Sequence, residues 1–225
     1  MCLRSWFVKA AAALPLLVWT PVQGASLLAN GDFAASITGW QQIGTVFNTG
    51  ESAVLSDAVS LRTVVFQTAV VPDGVILLRL SFDLLTSLTA PGLGQTPDSV
   101  FISAFLGASP FGTNFDAATF DIAIGVLDAD FRGIANPAFL LARGPSPKGA
   151  GWTHYSLPLP HRLAEPGPAA FATVAFEFID GNGVAGDSVA AVDNVVLEPE
   201  FIPEPHTGAA LLACGLLLIQ RRQRC

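Results

Sequence analysis

Cysteine is nearly absent from this chain of 225 residues. The three cysteines, Cys2, Cys214 and Cys225, all lie close to the two ends. The segment between them can form no internal disulfide, and a cysteine-ligated zinc site or a thiol nucleophile is excluded there. The length favours one main domain with appendages, which must be held together by core packing, with or without a bound metal.

Charged residues are also scarce, at 13% of the sequence, where globular domains usually have about 25%. Five of the 11 lysines and arginines lie in the two ends, whereas all 18 acidic residues lie between Ala25 and Pro205. That middle segment carries a formal charge of −12, compared with −7 for the whole chain. Such an acidic body repels nucleic acid and anionic membrane surfaces, so neither is an expected partner.

The common catalytic motifs are missing as well. The sequence has no Gly-x-Ser-x-Gly, no phosphate-binding glycine loop and no dinucleotide fingerprint. His154 and His161 are separated by a spacing that fits no common metal motif, and we expect surface or half-buried histidines. Asp121, Asp128 and Asp130 could supply a pair of glycosidase acids, but scattered acids on an acidic domain are the commoner explanation. We therefore expect no enzyme.

The first 24 residues have the layout of a secretory signal peptide. Arg4 and Lys9 precede an apolar run over residues 10–18, and small residues follow. Val22 and Gly24 occupy the −3 and −1 places for cleavage after Gly24. A buried core helix is the alternative, but the flanking charges favour a signal helix that signal peptidase removes.

Alternation of apolar and polar residues dominates the body. The clearest example, VILLRLSFDLL at residues 75–85, places five apolar side chains on one face: Ile76, Leu78, Leu80, Phe82 and Leu84. Similar patterns occur at residues 61–70, 99–106, 118–127, 152–157, 170–179 and 188–197. Gly/Pro-rich loops separate these segments, and no helix-period stretch of useful length lies between them. The pattern predicts a two-sheet antiparallel β-sandwich over residues 25–198.

The two ends of this body carry a family resemblance. LLANGDFAASITGW contains Asn30-Gly31-Asp32-Phe33 followed by Gly39-Trp40, and FEFIDGNGVAGDSVAAVDNVVLE ends near Asp193-Asn194-Val195. Both segments resemble the opening and closing parts of galactose-binding-like, carbohydrate-binding-module jelly rolls. The resemblance implies a jelly-roll-like fold for the sandwich.

The same resemblance implies a structural calcium ion between the first and last strands. In many such modules a carboxylate after the early Phe and an Asp from the closing strand bind it. Asp193 matches the second ligand, but Ala34 stands where the family usually has Glu. The main-chain carbonyl of Asn30 and the carboxylates of Asp32 and Asp193 remain as candidate ligands, fewer than the roughly six to eight oxygens that calcium takes.

The loop DGNGVAGD is a second candidate for cation binding. Asp180, Asn182 and Asp187 could wrap an ion, and the first positions resemble the start of an EF-hand loop. Later ligand positions of that motif hold Val184 and Ala191, so the motif is incomplete. A solvated turn is the expected structure.

Two aromatic residues, Trp152 and Tyr155, are candidates for contact with sugar. Aromatic rings stack on the apolar faces of pyranoses, while neighbouring polar groups bond the hydroxyls. Core packing is the alternative for Trp152, and it is the expectation for Trp40 at the Gly-Trp position.

Residues 199–225 form a tail with three parts in order. They are Pro203-Glu204-Pro205, an apolar stretch over residues 207–219, and the basic end with Arg221, Arg222 and Arg224. Thirteen helical residues span about 20 Å, short of the ~30 Å hydrocarbon core, and snorkelling arginines can extend that reach. We therefore expect a short C-terminal hydrophobic helix.

The tail resembles a PEP-CTERM sorting signal. That resemblance implies recognition and cleavage near Pro-Glu-Pro by an exosortase, a membrane-embedded cysteine protease-transpeptidase. An ordinary C-terminal membrane anchor is the alternative, but it leaves Pro203, Glu204 and Pro205 unexplained.

These features together predict an exported, non-enzymatic envelope or extracellular-matrix protein. It would be held transiently in the inner membrane by its tail, and then reach the cell surface or the matrix, in association with exopolysaccharide. The alternative is a carbohydrate-binding module with a defined sugar site on the sandwich.

Overall fold

In a computed structural model the described residues form the sandwich, and both predicted terminal helices lie outside them. Val22–Ile202 forms one compact unit. The described residues are 22–90, 92–108, 110, 122–128, 134–135, 142–160 and 171–201. Within these ranges there is no α-helix, and therefore no helix that is long and apolar enough to cross a membrane.

Thirteen described strands form two antiparallel sheets. The strands of sheet A are β1 (Val22–Gln23), β3 (Val46–Asn48), β4 (Ala53–Ser56), β6 (Val75–Ser87), β10 (Ala142–Pro145), β11 (Trp152–Pro160) and β13 (Val189–Phe201). They pair in the order β10-β11-β6-β13-β4-β3, and β1 also pairs with β13.

The strands of sheet B are β2 (Gln41–Ile43), β5 (Arg62–Val70), β7 (Ser99–Gly107), β8 (Ile122–Asp128), β9 (Ile134–Ala135) and β12 (Phe171–Ile179). They pair in the order β2-β5-β12-β7-β8-β9. From β4 to β7 the chain changes sheet at every connection, so each of these segments contributes one face to the shared core. The predicted antiparallel β-sandwich is confirmed.

The core lies between the facing sides of the two sheets. On β6, Leu78, Leu80, Phe82 and Leu84 are buried, as the alternation predicts. Phe82 packs edge-on against Phe176 of sheet B, with ring centroids 5.1 Å apart. This contact joins the central strands of the two sheets.

Ile76 departs from the predicted pattern, since 48% of it is exposed. The pairing of β6 with β13 is irregular here: Phe201 lies opposite Val75 and Glu200 opposite Leu77. Ile76 is therefore the extra residue of a bulge, and a bulge reverses the inward and outward alternation on either side of it. Val75 is buried in its place.

The N-terminal segment lies along β13. Leu27 donates its N–H to the carbonyl of Leu197 at 2.8 Å, and Val195 donates to the carbonyl of Gly31 at 2.9 Å. Trp40 is buried as expected, with its ring 5.1 Å from that of Phe33. The two segments that carry the family resemblance are thus in direct contact.

Candidate functional site

The β10–β11 hairpin carries Trp152 and Tyr155, the two predicted sugar-contact residues. Its turn is closed by hydrogen bonds from the Gly149 N–H to the Ser146 carbonyl and from the Trp152 N–H to the Gly149 carbonyl. Gly149 and Gly151 have φ angles of 101° and 87°, which side-chain-bearing residues rarely adopt. The turn therefore places Lys148 directly beside Trp152.

A cavity of about 380 Å³, which we call the Trp152 cavity, lies at this hairpin. Its lining residues come from both strands: Arg143, Gly144, Pro145, Trp152, Thr153 and Tyr155. In the strand register Arg143 lies opposite Tyr155 and Pro145 opposite Thr153. Trp152 and Tyr155, the two predicted sugar-contact residues, thus both border this open depression.

Tyr155 is anchored in the core rather than presented at the surface. It is 8% exposed, and its ring stacks on Phe82 with centroids 5.2 Å apart and an interplanar angle of 19°. Burial raises the pKa of the Tyr155 hydroxyl above 10.0, against the opposing effects of the Arg143 charge and a Thr153 hydrogen bond. The hydroxyl is therefore neutral at physiological pH, able both to donate and to accept a hydrogen bond.

Lys148 links the hairpin to the outer face of sheet A. Its ammonium group forms an ion pair with Asp193 on β13 and donates to the Glu51 carbonyl at 2.7 Å. The same group lies 4.8 Å from the centroid of the Trp152 ring. A cation at this distance from an indole is attracted to its face. Lys148 therefore holds the Trp152 ring in a defined orientation.

Two buried carboxylates lie side by side beneath this hairpin. Asp83 and Asp193 are opposite each other on β6 and β13. Asp83 binds His154 Nδ1 at 2.8 Å and accepts a hydrogen bond from the Asn194 amide at 2.7 Å. Burial raises the pKa of Asp193, and the hydrogen bond from Lys148 opposes the rise. His154 is half-buried, as the sequence predicts.

The three candidate calcium ligands near the N-terminal segment have partners within the protein. The Asn30 amide donates to the Ser36 carbonyl at 2.6 Å, and the Asn30 carbonyl accepts from Trp40 Nε1 at 3.2 Å. Asp32 is exposed and accepts from the Ala34 N–H within its own loop. Asp193 binds Lys148 through Oδ2, while its buried Oδ1 has no hydrogen-bond partner within the described residues.

The sorting residues Pro203, Glu204, Pro205, Arg221, Arg222 and Arg224 lie outside the described residues, as do His161 and His206. The last described strand ends at Phe201. The Pro-Glu-Pro motif therefore starts two residues after the last described residue.

Sequence reasoning did not identify Arg143, Lys148 or Asp83 as members of a site. One signal was available for Lys148, the one lysine of the chain beyond Lys9, in the Gly/Pro-rich segment directly before Trp152. For Asp83 the sequence contains no such signal, because Asp83 occupies an ordinary polar position of an alternating strand.

Comparison with known proteins identifies no family for this chain. No family model matches it, and no curated protein matches it. Solved structures with a similar fold include carbohydrate-binding modules and lectins.

Three structures represent the range of these matches. The enzymatically active domain of tailspike protein 4 from bacteriophage CBA120 is 18% identical, with a TM-score of 0.41 over 78% of this chain and 21% of the tailspike chain. TmCBM61 in complex with β-1,4-galactotriose is 9% identical, with a TM-score of 0.38 over 77% and 98%. The N-terminal cellulose-binding domain of Cellulomonas fimi β-1,4-glucanase C is 14% identical, with a TM-score of 0.38 over 78% and 98%. At this level of likeness the matches concern the fold alone.

Proposed function

We propose that this chain is an exported, non-enzymatic envelope or extracellular-matrix protein whose β-sandwich associates with polysaccharide at the Trp152 cavity. The observation that carries the proposal is the set of residues around that space of about 380 Å³, which includes Trp152, Arg143 and Thr153. Small-ligand sites usually have volumes of about 300–1,000 Å³ and few, well-placed polar groups.

The chemistry of the lining suits a sugar. The Trp152 ring offers an apolar surface for pyranose C–H groups, while the half-buried Thr153 hydroxyl and the exposed Arg143 guanidinium can form hydrogen bonds with sugar hydroxyls. Core packing of Tyr155 on Phe82 and the Lys148 cation over Trp152 restrict both rings before a ligand arrives. Restricting side chains in advance reduces the entropy lost on binding.

Arg143 adds a cationic hydrogen-bond donor to an otherwise acidic protein. Arg62, Arg79 and Lys148 each pair with a carboxylate, whereas Arg143 has no carboxylate partner among the described residues. Its exposed guanidinium can therefore donate to hydroxyl or carboxylate oxygens of a polysaccharide. This supports association with acidic as well as neutral glycans.

Binding is tested by glycan array and by affinity electrophoresis in gels containing xylan, β-1,4-galactan or alginate. Trp152→Ala is expected to weaken binding about ten-fold or more, because truncation removes a central aromatic contact. The matched control is Phe47→Ala, since Phe47 is 45% exposed on β3 at the opposite edge of sheet A. Absence of binding to every glycan, or equal loss in both variants, would contradict the sugar-binding proposal.

The termini support export and sorting, with signal peptidase and an exosortase as processing partners. The experiment is intact-mass measurement of the mature protein from its native host. We expect loss of the first 24 residues and of about 20 residues from the tail. Replacing Pro203, Glu204 and Pro205 by alanine should leave the tail attached and retain the protein in the inner membrane, whereas Gln220→Ala should be processed normally. A fully untrimmed chain in the cytosol would contradict this part of the proposal.

A further inference from the structure

Three aspartates meet at a junction of the two sheets. Asp57 follows β4, Asp98 precedes β7, and Asp187 lies at the end of the β12–β13 loop. One carboxylate oxygen from each lies within 4.8 Å of the others. We call these three residues the aspartate cluster. Because β4 and β13 belong to sheet A while β7 and β12 belong to sheet B, the cluster joins both layers of the sandwich.

Asp98 organises the loop that carries Asp187. Asp98 is fully buried, and its Oδ1 accepts hydrogen bonds from the N–H groups of Gly181 and Asn182 at 2.9 and 3.2 Å. Its Oδ2 accepts from the Asn182 amide at 3.0 Å and from the Ser188 hydroxyl at 2.5 Å. Four bonds use about all the acceptor sites of a carboxylate. The two ends of the loop are therefore tied down, whereas residues 183–186 between them are exposed.

The other two members retain unused oxygens. Asp57 is 1% exposed, and its Oδ1 accepts from the Gly186 N–H at 2.9 Å. Asp187 Oδ2 accepts from the Asn182 amide at 3.2 Å. The remaining oxygens, Asp57 Oδ2 and Asp187 Oδ1, are buried and have no hydrogen-bond partner within the described residues. Buried carboxylate oxygens without partners are strongly unfavourable, which favours a proton or a cation there.

No described basic side chain supplies that positive charge. Arg62 pairs with Glu177, Arg79 with Glu200, and Lys148 with Asp193. Arg143 lines the Trp152 cavity. Burial, followed by the proximity of the Asp187 carboxylate, raises the pKa of Asp57. A proton on Asp57 is thus one way to relieve the repulsion, and a metal cation is the other.

We propose that the aspartate cluster is a divalent-cation site that takes calcium. Asp57 and Asp187 bind the ion through their unpartnered oxygens, and Asp98 holds the loop that brings Asp187 into place. Calcium accepts six to eight oxygens with flexible geometry, so water and main-chain carbonyls complete its shell, whereas magnesium requires a stricter octahedron. The ion ties sheet A to sheet B in a domain whose described part contains no cysteine.

The test is calorimetric titration of the EDTA-treated full chain, purified in mild detergent, with calcium and separately with magnesium. Thermal unfolding is followed in parallel at pH 7.4. We expect calcium binding at the micromolar to millimolar level and a Tm increase of about 5–10 °C at saturating calcium. Magnesium should produce a smaller increase.

Two variants assign the effect to the cluster. Asp57→Asn and Asp187→Asn should each abolish the calcium-dependent rise in Tm. Without calcium each should be at least as stable as the parent, because the carboxylate repulsion is removed. The Tm measured without calcium separates the loss of a calcium ligand from misfolding, since a misfolded variant has a lower Tm both with and without calcium.

Asp32→Asn is the matched control, because Asp32 is an exposed aspartate of the N-terminal segment. It should retain the full calcium response. If Asp32→Asn abolishes the response while Asp57→Asn retains it, the ion binds beside the N-terminal segment and the proposal is overturned. A Tm that calcium does not change, together with stability that rises only on acidification, would identify a protonated Asp57 instead and also overturn it.

Discussion

Gly31 lies against the main chain of Val195 so closely that a β-carbon on residue 31 would stand 1.9 Å from the Val195 carbonyl oxygen. The Val195 N–H bonds the Gly31 carbonyl in the same contact. Only glycine permits this approach of two backbones. The requirement for glycine in the Asn-Gly-Asp-Phe segment therefore comes from the last strand of the sheet.

Gly31→Ala is predicted to destabilise the sandwich by about 3 kcal/mol, because the N-terminal segment must move away from β13 and lose its hydrogen bond. Urea unfolding measures the change. Gly144→Ala is the control: a β-carbon there meets no atom within 4 Å, so its effect should stay below about 0.5 kcal/mol. Similar losses in both variants would show that the close contact with Val195 is not the cause.

Tyr155 is the only tyrosine of the chain, so its ionisation can be followed directly by ultraviolet absorbance. Its raised pKa predicts a midpoint above 10.0 in the folded protein and about 10.0 in denaturant. The raised pKa of Tyr155 adds to the stability of the folded protein fully below pH 10.0. That stability is lost as the pH rises through the folded pKa, because the unfolded state releases the Tyr155 proton first. Tyr155→Phe should remove this alkaline loss. A folded midpoint at or below 10 would refute the burial of the hydroxyl.

Lys148→Met is predicted to destabilise the protein by about 3 kcal/mol at pH 7, since it leaves the buried Asp193 carboxylate without its cation. Asp193 already has a raised pKa. The loss should therefore shrink as the pH falls through that pKa, when the folded state takes up a proton before the unfolded state does. The double variant Lys148→Met/Asp193→Asn should recover most of the loss, and chemical unfolding of all four chains of this cycle provides the check. A double variant as unstable as Lys148→Met would exclude the uncompensated charge as the cause.

Cleavage after Gly24 is predicted to leave the fold intact although it removes β1. That cleavage also breaks the bond from the Gly24 N–H to the Pro199 carbonyl, but it retains the bond from Leu27 to Leu197. A chain that begins at Ala25 should therefore unfold within about 1 kcal/mol of one that begins at Val22. A chain that begins at Ala29 lacks the Leu27 bond and the buried Leu28, and should be less stable by about 2 kcal/mol or more. Equal stability of all three would show that the segment before Ala29 does not support β13.

The longer strands were readable from the sequence because their pattern is local. Alternation over residues 75–85 and 170–179 predicts strands there, and β6 and β12 form at these positions. On β12, however, all seven residues from Ala172 to Phe178 are buried, so the expected half-exposed strand is wrong there, because the outer face of the strand is covered as well. The short strands, such as β3 and β10, were not predicted. They contain only three and four residues, too few for an alternation to be recognised, and they form only because a longer neighbour offers unpaired backbone groups.

For the candidate site as well, the local sequence predicts some residues, and the tertiary structure alone decides the others. Composition and the order of motifs along the chain were enough to predict a thiol-free, acidic β-sandwich with Trp152 and Tyr155 as aromatic candidates. Which residues meet in space was decided by the tertiary structure alone. Lys148 reaches Asp193 across 45 residues, and the aspartate cluster joins positions from 57 to 187. Such contacts depend on sheet register and loop closure between distant segments, and no local sequence pattern records either.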